Sequence, residues 1–125
     1  MKSIRINKGI RITIFFAVFT LASSAFSGEG YKITGNQGIM YFVAIDTAQK
    51  DNEDVYRFAA GKACAGKAIC QVQYWIGSAP NGFPLSDAQV ESKVAQWQQN
   101  LNTGLRGWLV NCDSSDLFAS ARECM

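Results

Sequence analysis

The periodicities along the chain predict a small two-layer domain of the α+β or α/β class, in which a three- to four-stranded sheet carries two helices in the order β(β)-α-β-α-β. Three observations predict it. Ile39 to Ile45 is a continuous apolar run, rich in aromatic and β-branched residues and bounded by turn residues, which suits a strand buried on both faces. Ile69 to Ile76 alternates with period two, as a strand with one face on a core does. Two segments with helical periodicity and capping residues separate the strand-like stretches. Helices interleaved with so few strands favour a single helical layer on one sheet.

Residues 1–27 read as an address. Lys2, Arg5, Lys8 and Arg11 form a basic region, Ile12 to Ala22 an apolar core interrupted only by threonines, and Ser23, Ser24, Ala25 and Ser27 a small-residue end. That order is a secretory signal peptide. The core is too short for a spanning helix, which needs about 20 apolar residues. Small residues at −3 and −1 allow cleavage after Ala25 or after Ser27, the second being preferred. The 98 residues from Gly28 onward suffice for a single globular domain. The expected location is the periplasm or the cell exterior.

Within 28–125, Tyr31, Ile33 and Gly35 suggest a first short strand, Gly35 to Gly38 is turn chemistry, and the apolar run Ile39 to Ile45 is the central strand. Asp51 to Ala65 reads as a helix, capped at Asp51, with Val55, Phe58, Ala59 and Ala63 as its apolar stripe and Gly66 as its stop. In the strand Ile69 to Ile76, Cys70, Val72, Tyr74 and Ile76 share the core face, and Gln71, Gln73 and Trp75 share the other. Gly77 to Pro84 is a loop. Ser86 and Gln89 form a capping box, and Val90, Val94, Trp97 and Leu101 make a stripe that predicts a second helix running to Gly104. Leu105 to Cys112 is a last strand with Trp108 and Val110 in the core, and Asp113 to Met125 a polar tail tied back by Cys124.

Cysteine count and charge narrow the function classes. Four cysteines in a small exported domain read as two disulfides. Cys64–Cys70 with Cys112–Cys124 is the preferred pairing because each pair is close in sequence and spans the end of an element. Zinc is a poor rival for these thiols, since the chain has no histidine and no C-x-x-C spacing. Twelve Lys and Arg face ten Asp and Glu; four of the basic residues lie in 1–27 and none of the acidic ones do, so residues 28–125 carry eight basic and ten acidic side chains, a net charge of −2. A mild negative balance without a basic cluster argues against nucleic acid and against an anionic membrane surface as partners.

Catalytic motifs are thin. Gly61 to Ala68 fits a phosphate-binding loop only until its last position, where Ala68 stands in place of the magnesium-holding Ser or Thr, and here a helix precedes a strand rather than following it. Without histidine the usual base for a serine or cysteine nucleophile is missing, and no Ser-x-x-Lys spacing occurs after residue 27. Asp113 to Asp116 reads as a capped turn rather than a calcium loop. Carboxylates remain: Asp46 at a strand end, and Asp87 and Glu91 one helical turn apart.

The sequence therefore predicts a small exported, disulfide-stabilised binding or inhibitory protein of the immunity or inhibitor type, with no catalytic activity of its own, no metal and no cofactor. Its partner would be another exported protein or a glycan. The expected binding residues are Gln71, Gln73 and Trp75, an aromatic among amides on one strand face. The alternative is a small carboxylate-dependent periplasmic hydrolase built on the acidic residues above. Cleavage of the signal is directly measurable: the intact mass of the exported protein should correspond to a chain beginning near Gly28 or Phe26. A full-length soluble cytoplasmic product would contradict it.

Overall fold

The computed structural model describes residues 28–125, so the signal-peptide expectation for 1–27 lies outside the described residues. Six strands form one mixed sheet: β1 (Tyr31–Gln37), β2 (Met40–Ile45), β3 (Ile69–Ile76), β4 (Ala95–Asn100), β5 (Leu105–Val110) and β6 (Arg122–Cys124), lying side by side in chain order. The pairs β2–β3 and β5–β6 are parallel; the other neighbours are antiparallel. Among the described residues two α-helices accompany the sheet, α1 (Glu53–Ala63) and the single-turn-and-a-half α2 (Asp87–Ser92). The three- to four-stranded sheet with two packed helices is thus corrected to six strands with one substantial helix.

Helix α1 forms where the stripe predicts it, with its start shifted to a different cap. The Asn52 side chain, not Asp51, accepts from the Asp54 N–H at 3.2 Å, satisfying one of the orphan donors of the first turn. Glu53 and Asp54 in the first turn and Lys62 in the last complement the helix dipole. The helix ends at Cys64, and Gly66 takes the left-handed conformation, φ +74°, that turns the chain towards β3. The buried stripe is Val55, Tyr56, Ala59, Ala60 and Ala63. Phe58, expected in that stripe, is 67% exposed, and Tyr56 takes the inward position instead.

Strand β3 has the predicted bounds and alternation. Cys70, Val72 and Tyr74 point into the core under α1, where they meet Val43 and Ile45 of β2 and Ala95 of β4. Two tyrosines anchor the helix to the sheet. The Tyr56 hydroxyl donates to the Lys50 carbonyl at 2.7 Å, and the Tyr74 hydroxyl donates to the Tyr56 carbonyl at 2.9 Å, so both phenols enter the core with their polar atoms paired. Burial raises the pKa of each above the ordinary tyrosine range, Tyr74 most strongly.

The predicted second helix is overturned after its first turns. Its capping box is present: Gln89 N–H donates to Ser86 Oγ at 3.1 Å and Ser86 N–H donates to Gln89 Oε1 at 2.9 Å. Lys93 then adopts an extended backbone, and Ala95–Asn100 becomes β4. Val90 and Leu101, two members of the expected stripe, are 56% and 50% exposed. Glutamine favours helix locally, by tenths of a kcal/mol per residue. That preference loses to ladders on both edges, since β4 lies between β3 and β5 and its Ala95 and Trp97 reach the core.

The polar tail is also more structured than its composition suggests. It sends Leu117 and Phe118 into the core and ends in β6. Phe118 N–H donates to Glu53 Oε2 at 2.8 Å, and its ring stacks on Trp108 at a centroid distance of 4.0 Å.

The segment between β3 and β4 folds over the sheet face opposite α1. Thr34, at a register shift in β1, donates from Oγ1 to the Pro80 carbonyl at 2.6 Å. Beside it, a Cβ on Gly35 would fall 2.2 Å from the Asn81 carbonyl oxygen, so only glycine admits the loop this close. Phe83 N–H donates to Gln37 Oε1, and the Phe83 ring meets Phe42 edge-on at 5.2 Å.

The disulfides are the preferred pair, Cys64–Cys70 and Cys112–Cys124. The first joins the C-cap of α1 to the second residue of β3. Replacing both Cys64 and Cys70 by alanine should cost about 2 kcal/mol of stability, the modest figure that closing a short loop implies. Urea unfolding checks this, and free thiols in the denatured, unreduced protein would contradict the pairing.

Candidate functional site

Helix α1 packs over β1, β2 and β3. The same sheet face continues across β4 and β5, where alternation presents Trp97 and Gln99 from one strand and Arg106 and Trp108 from the other. Trp97 is registered opposite Trp108, and Gln99 opposite Arg106. Phe118 stacks face to face on Trp108, which is left only 8% exposed. Between the flank of α1 and these strands runs an open groove of 330 Å³. Its helix wall is Arg57, Ala60, Gly61 and Cys64, and its sheet wall is Trp97, Gln99, Arg106 and Trp108. The lack of a side chain at the exposed Gly61 leaves that part of the wall as bare backbone, with open space where a Cβ would stand.

The two guanidinium groups differ in their surroundings. Arg57 is paired with Asp54 at 3.3 Å and Glu53 at 3.7 Å, and stands 4.9 Å above the Phe118 ring. Arg106 lies 5.9 Å from the Trp97 ring centre, a cation–π arrangement, and among the described residues it forms no ion pair with a carboxylate. The neutral polar groups are committed internally. Trp97 Nε1 donates to Gln99 Oε1 at 3.0 Å, and Gln99 Nε2 donates to the Lys67 carbonyl at 2.9 Å. A groove of indole, methyl, disulfide and guanidinium surfaces is equipped to stack and to hold charge.

The residues expected to bind are placed differently. Gln71, Gln73 and Trp75 do share the face opposite α1, as alternation requires. Trp75 is nevertheless only 2% exposed. Its indole Nε1 donates to the Gln89 carbonyl of α2 at 2.7 Å, and its ring lies 6.1 Å from Phe42, so the excursion 77–92 buries it as core. Gln73 is 2% exposed as well. Its Oε1 accepts from Lys93 Nζ at 3.0 Å, Lys93 also donates to Gln96 Oε1 at 3.1 Å, and Gln96 Nε2 reaches Gln71 Oε1 at 3.4 Å. Burial lowers the Lys93 pKa. Gln71 alone of the three is half exposed, at the edge of this amide network.

The carboxylates considered for catalysis are scattered. Asp46 Oδ1 accepts from the Ala48 N–H at 3.1 Å, capping a short 3-10 turn, Thr47–Gln49. Asp87 and Glu91 are exposed on α2. In the 113–116 turn it is Asn111 that caps, its Oδ1 accepting from the Asp113 N–H at 3.2 Å. Among the described residues no three His, Cys, Asp or Glu side chains gather closely enough to hold a metal ion.

Sequence reasoning missed Arg57, Trp97, Arg106 and Trp108 as a group because Trp97 was read on a helix; Trp108, read as core, is indeed buried, and it also lines the groove. The usable signal was period two: reading Ala95–Asn100 as a strand places Trp97 and Gln99 on the face that carries Arg106 and Trp108.

Trp75→Ala should behave as a core truncation, costing about 3–5 kcal/mol of stability. Gln71→Ala should cost much less, about 0.5–1.5 kcal/mol, since it removes only the partly buried acceptor of Gln96 Nε2. Denaturant unfolding of both variants checks this, and a loss below about 1 kcal/mol for Trp75→Ala would place Trp75 outside the core.

No protein-family model matches this chain, no curated protein matches it in sequence, and no solved structure matches its fold. The chemistry of its own residues is therefore what speaks to function.

Proposed function

We propose that the chain is an exported, disulfide-stabilised binding protein of the inhibitor or immunity type, without catalytic activity of its own, which meets another exported protein through the groove between α1 and strands β4 and β5. The observation that carries this reading is the convergence there of Trp97, Trp108, Arg57 and Arg106 around 330 Å³ of open space. Tryptophan and arginine are the residue types that dominate binding energy at protein interfaces, where they sit in pockets shielded from water. Two disulfides agree with an oxidising compartment such as the periplasm or the cell exterior. The rigidity of the site also supports the reading: the indole of Trp97 and the amide of Gln99 are already fixed to each other and to Lys67, so little side-chain ordering remains to oppose association.

The test is capture from the exported fraction with the tagged protein, using Arg106→Ala and Trp97→Ala against Gln71→Ala. A specific partner should be retained by the wild type and by Gln71→Ala. Each groove variant should bind it with a loss of about 2 kcal/mol, while circular dichroism confirms that the variants are folded. Equal capture by all variants, or loss through Gln71→Ala alone, would move the contact away from the groove.

A further inference from the structure

We propose that the groove recognises a single carboxylate carried on an apolar, ring-sized frame, with Arg106 as the anion contact and the partly buried indole of Trp97 as the main surface for the frame, beside the little that the nearly buried Trp108 still exposes. This rests on the reading of the groove as the contact surface and adds the chemical class of what enters it.

Charge sets the anion count. The Arg57 guanidinium already faces Glu53 and Asp54 at 3.7 and 3.3 Å, so one wall of the groove is locally balanced by the protein's own acids. Arg106 has no such partner among the described residues. One uncompensated guanidinium matches one negative charge, and its planar fork presents parallel donors to the two oxygens of a carboxylate. A dianionic phosphate would need Arg57 for its second charge, and Arg57 is already engaged by Glu53 and Asp54.

Hydrogen-bonding capacity sets the frame. A sugar ring brings several hydroxyls, each of which loses water on entry and needs a partner. The groove's unspent polar groups are donors, the Arg106 guanidinium and the Trp108 N–H, neither of which is hydrogen-bonded among the described residues, so the protons of several hydroxyls would find few acceptors. The Trp97 N–H is given to Gln99, and both ends of the Gln99 amide are used, one by Trp97 and one by the Lys67 carbonyl. The remaining lining is Ala60, the Gly61 backbone, the disulfide at Cys64 and the rings of the two tryptophans. These surfaces reward an apolar, preferably aromatic body, which gains offset or edge contacts with the indoles as well as burial. A volume of 330 Å³ is at the small end for ligand sites, enough for one ring and its acid. The ligand is an acidic segment of the protein partner that places an apolar ring beside a carboxylate, and a small aromatic acid carries the same chemistry.

The probes are 3-phenylpropionate, its uncharged amide 3-phenylpropionamide, and glucuronate as a polar ring bearing the same charge. Binding is followed by calorimetry and by the indole N–H signals of the three tryptophans, with the buried Trp75 as an internal control. The acid should shift Trp97 and Trp108 and leave Trp75 still. The amide, glucuronate, and the acid on Arg106→Gln should each bind at least about tenfold more weakly, the scale of one lost charge-assisted hydrogen bond. Arg106 is exposed, so that variant leaves the core untouched. Equal binding of acid and amide, preference for glucuronate, unchanged affinity in Arg106→Gln, or no shift at Trp97 and Trp108 would overturn the assignment. If the probes fail while Trp97→Ala still loses the captured partner, only the carboxylate class falls. If capture is also indifferent to Trp97 and Arg106, the groove itself is not the contact.

Discussion

The hydrogen bond from the Tyr74 hydroxyl to the Tyr56 carbonyl, 2.9 Å long and inside the core, sets where the helix can lie. It joins the middle of β3 to the first turns of α1, and the two rings rest against each other at 5.1 Å. Breaking it would leave the Tyr74 phenol unpaired away from water, at a cost of about 1–3 kcal/mol, while the Tyr56 carbonyl would keep its helical bond. With Tyr56 fixed there, and Ala59, Ala60 and Ala63 allowing close approach, α1 is held over β1, β2 and β3. The helix then stops short of the Trp97, Gln99 and Arg106 part of β4 and β5, while Phe118 covers Trp108, and the groove is the space left beside the helix. Its position follows from an anchor that takes no part in lining it.

The opposite face obeys a different constraint. Trp75 and Phe42 need cover, and the chain supplies it from the connection between β3 and β4 rather than from a second full helix. Gly35 lets the backbone at Asn81 come into contact with β1, Thr34 and Gln37 hold it by hydrogen bonds, and Gln89 receives the Trp75 indole. Where that cover ends, the face changes from aromatic to amide. Lys93 enters with its ammonium on the oxygens of Gln73 and Gln96, which lets a charged group be half buried without a carboxylate.

Elements whose burial is decided locally were legible. Strand β3 reads correctly from its alternation, α1 from its stripe, the Ser86–Gln89 capping box from its spacing, and the disulfides from proximity in sequence. What could not be read was decided by neighbours. Trp97 satisfies a helical stripe and a strand alternation equally well, and glutamines on either side tilt the local choice to helix; only the ladders to β3 and β5 settle it. Trp75 was correctly assigned to its face, but alternation states which side a residue points to and not what covers that side. Leu117 and Phe118 are two apolar residues in a polar stretch, too few for a periodic signal, yet one of them stacks on Trp108. The groove was illegible for the same reason as β4: its members become neighbours only when that segment is extended.

The sheet order, β1 to β6 without a single transposition, bears on how the chain can assemble. Each new strand docks beside the one made just before it, so no strand must be held open for a distant segment to insert. Pairings between consecutive elements keep loop closure short, which speeds folding and limits the lifetime of exposed edges. The cysteines follow the same rule: each bonds the next one along, with separations of 6 and 12 residues. A chain released from its N-terminal side can therefore close its first disulfide as α1 meets β3, before the second pair has arrived, and so avoids the crossed pairings that four simultaneous thiols would permit.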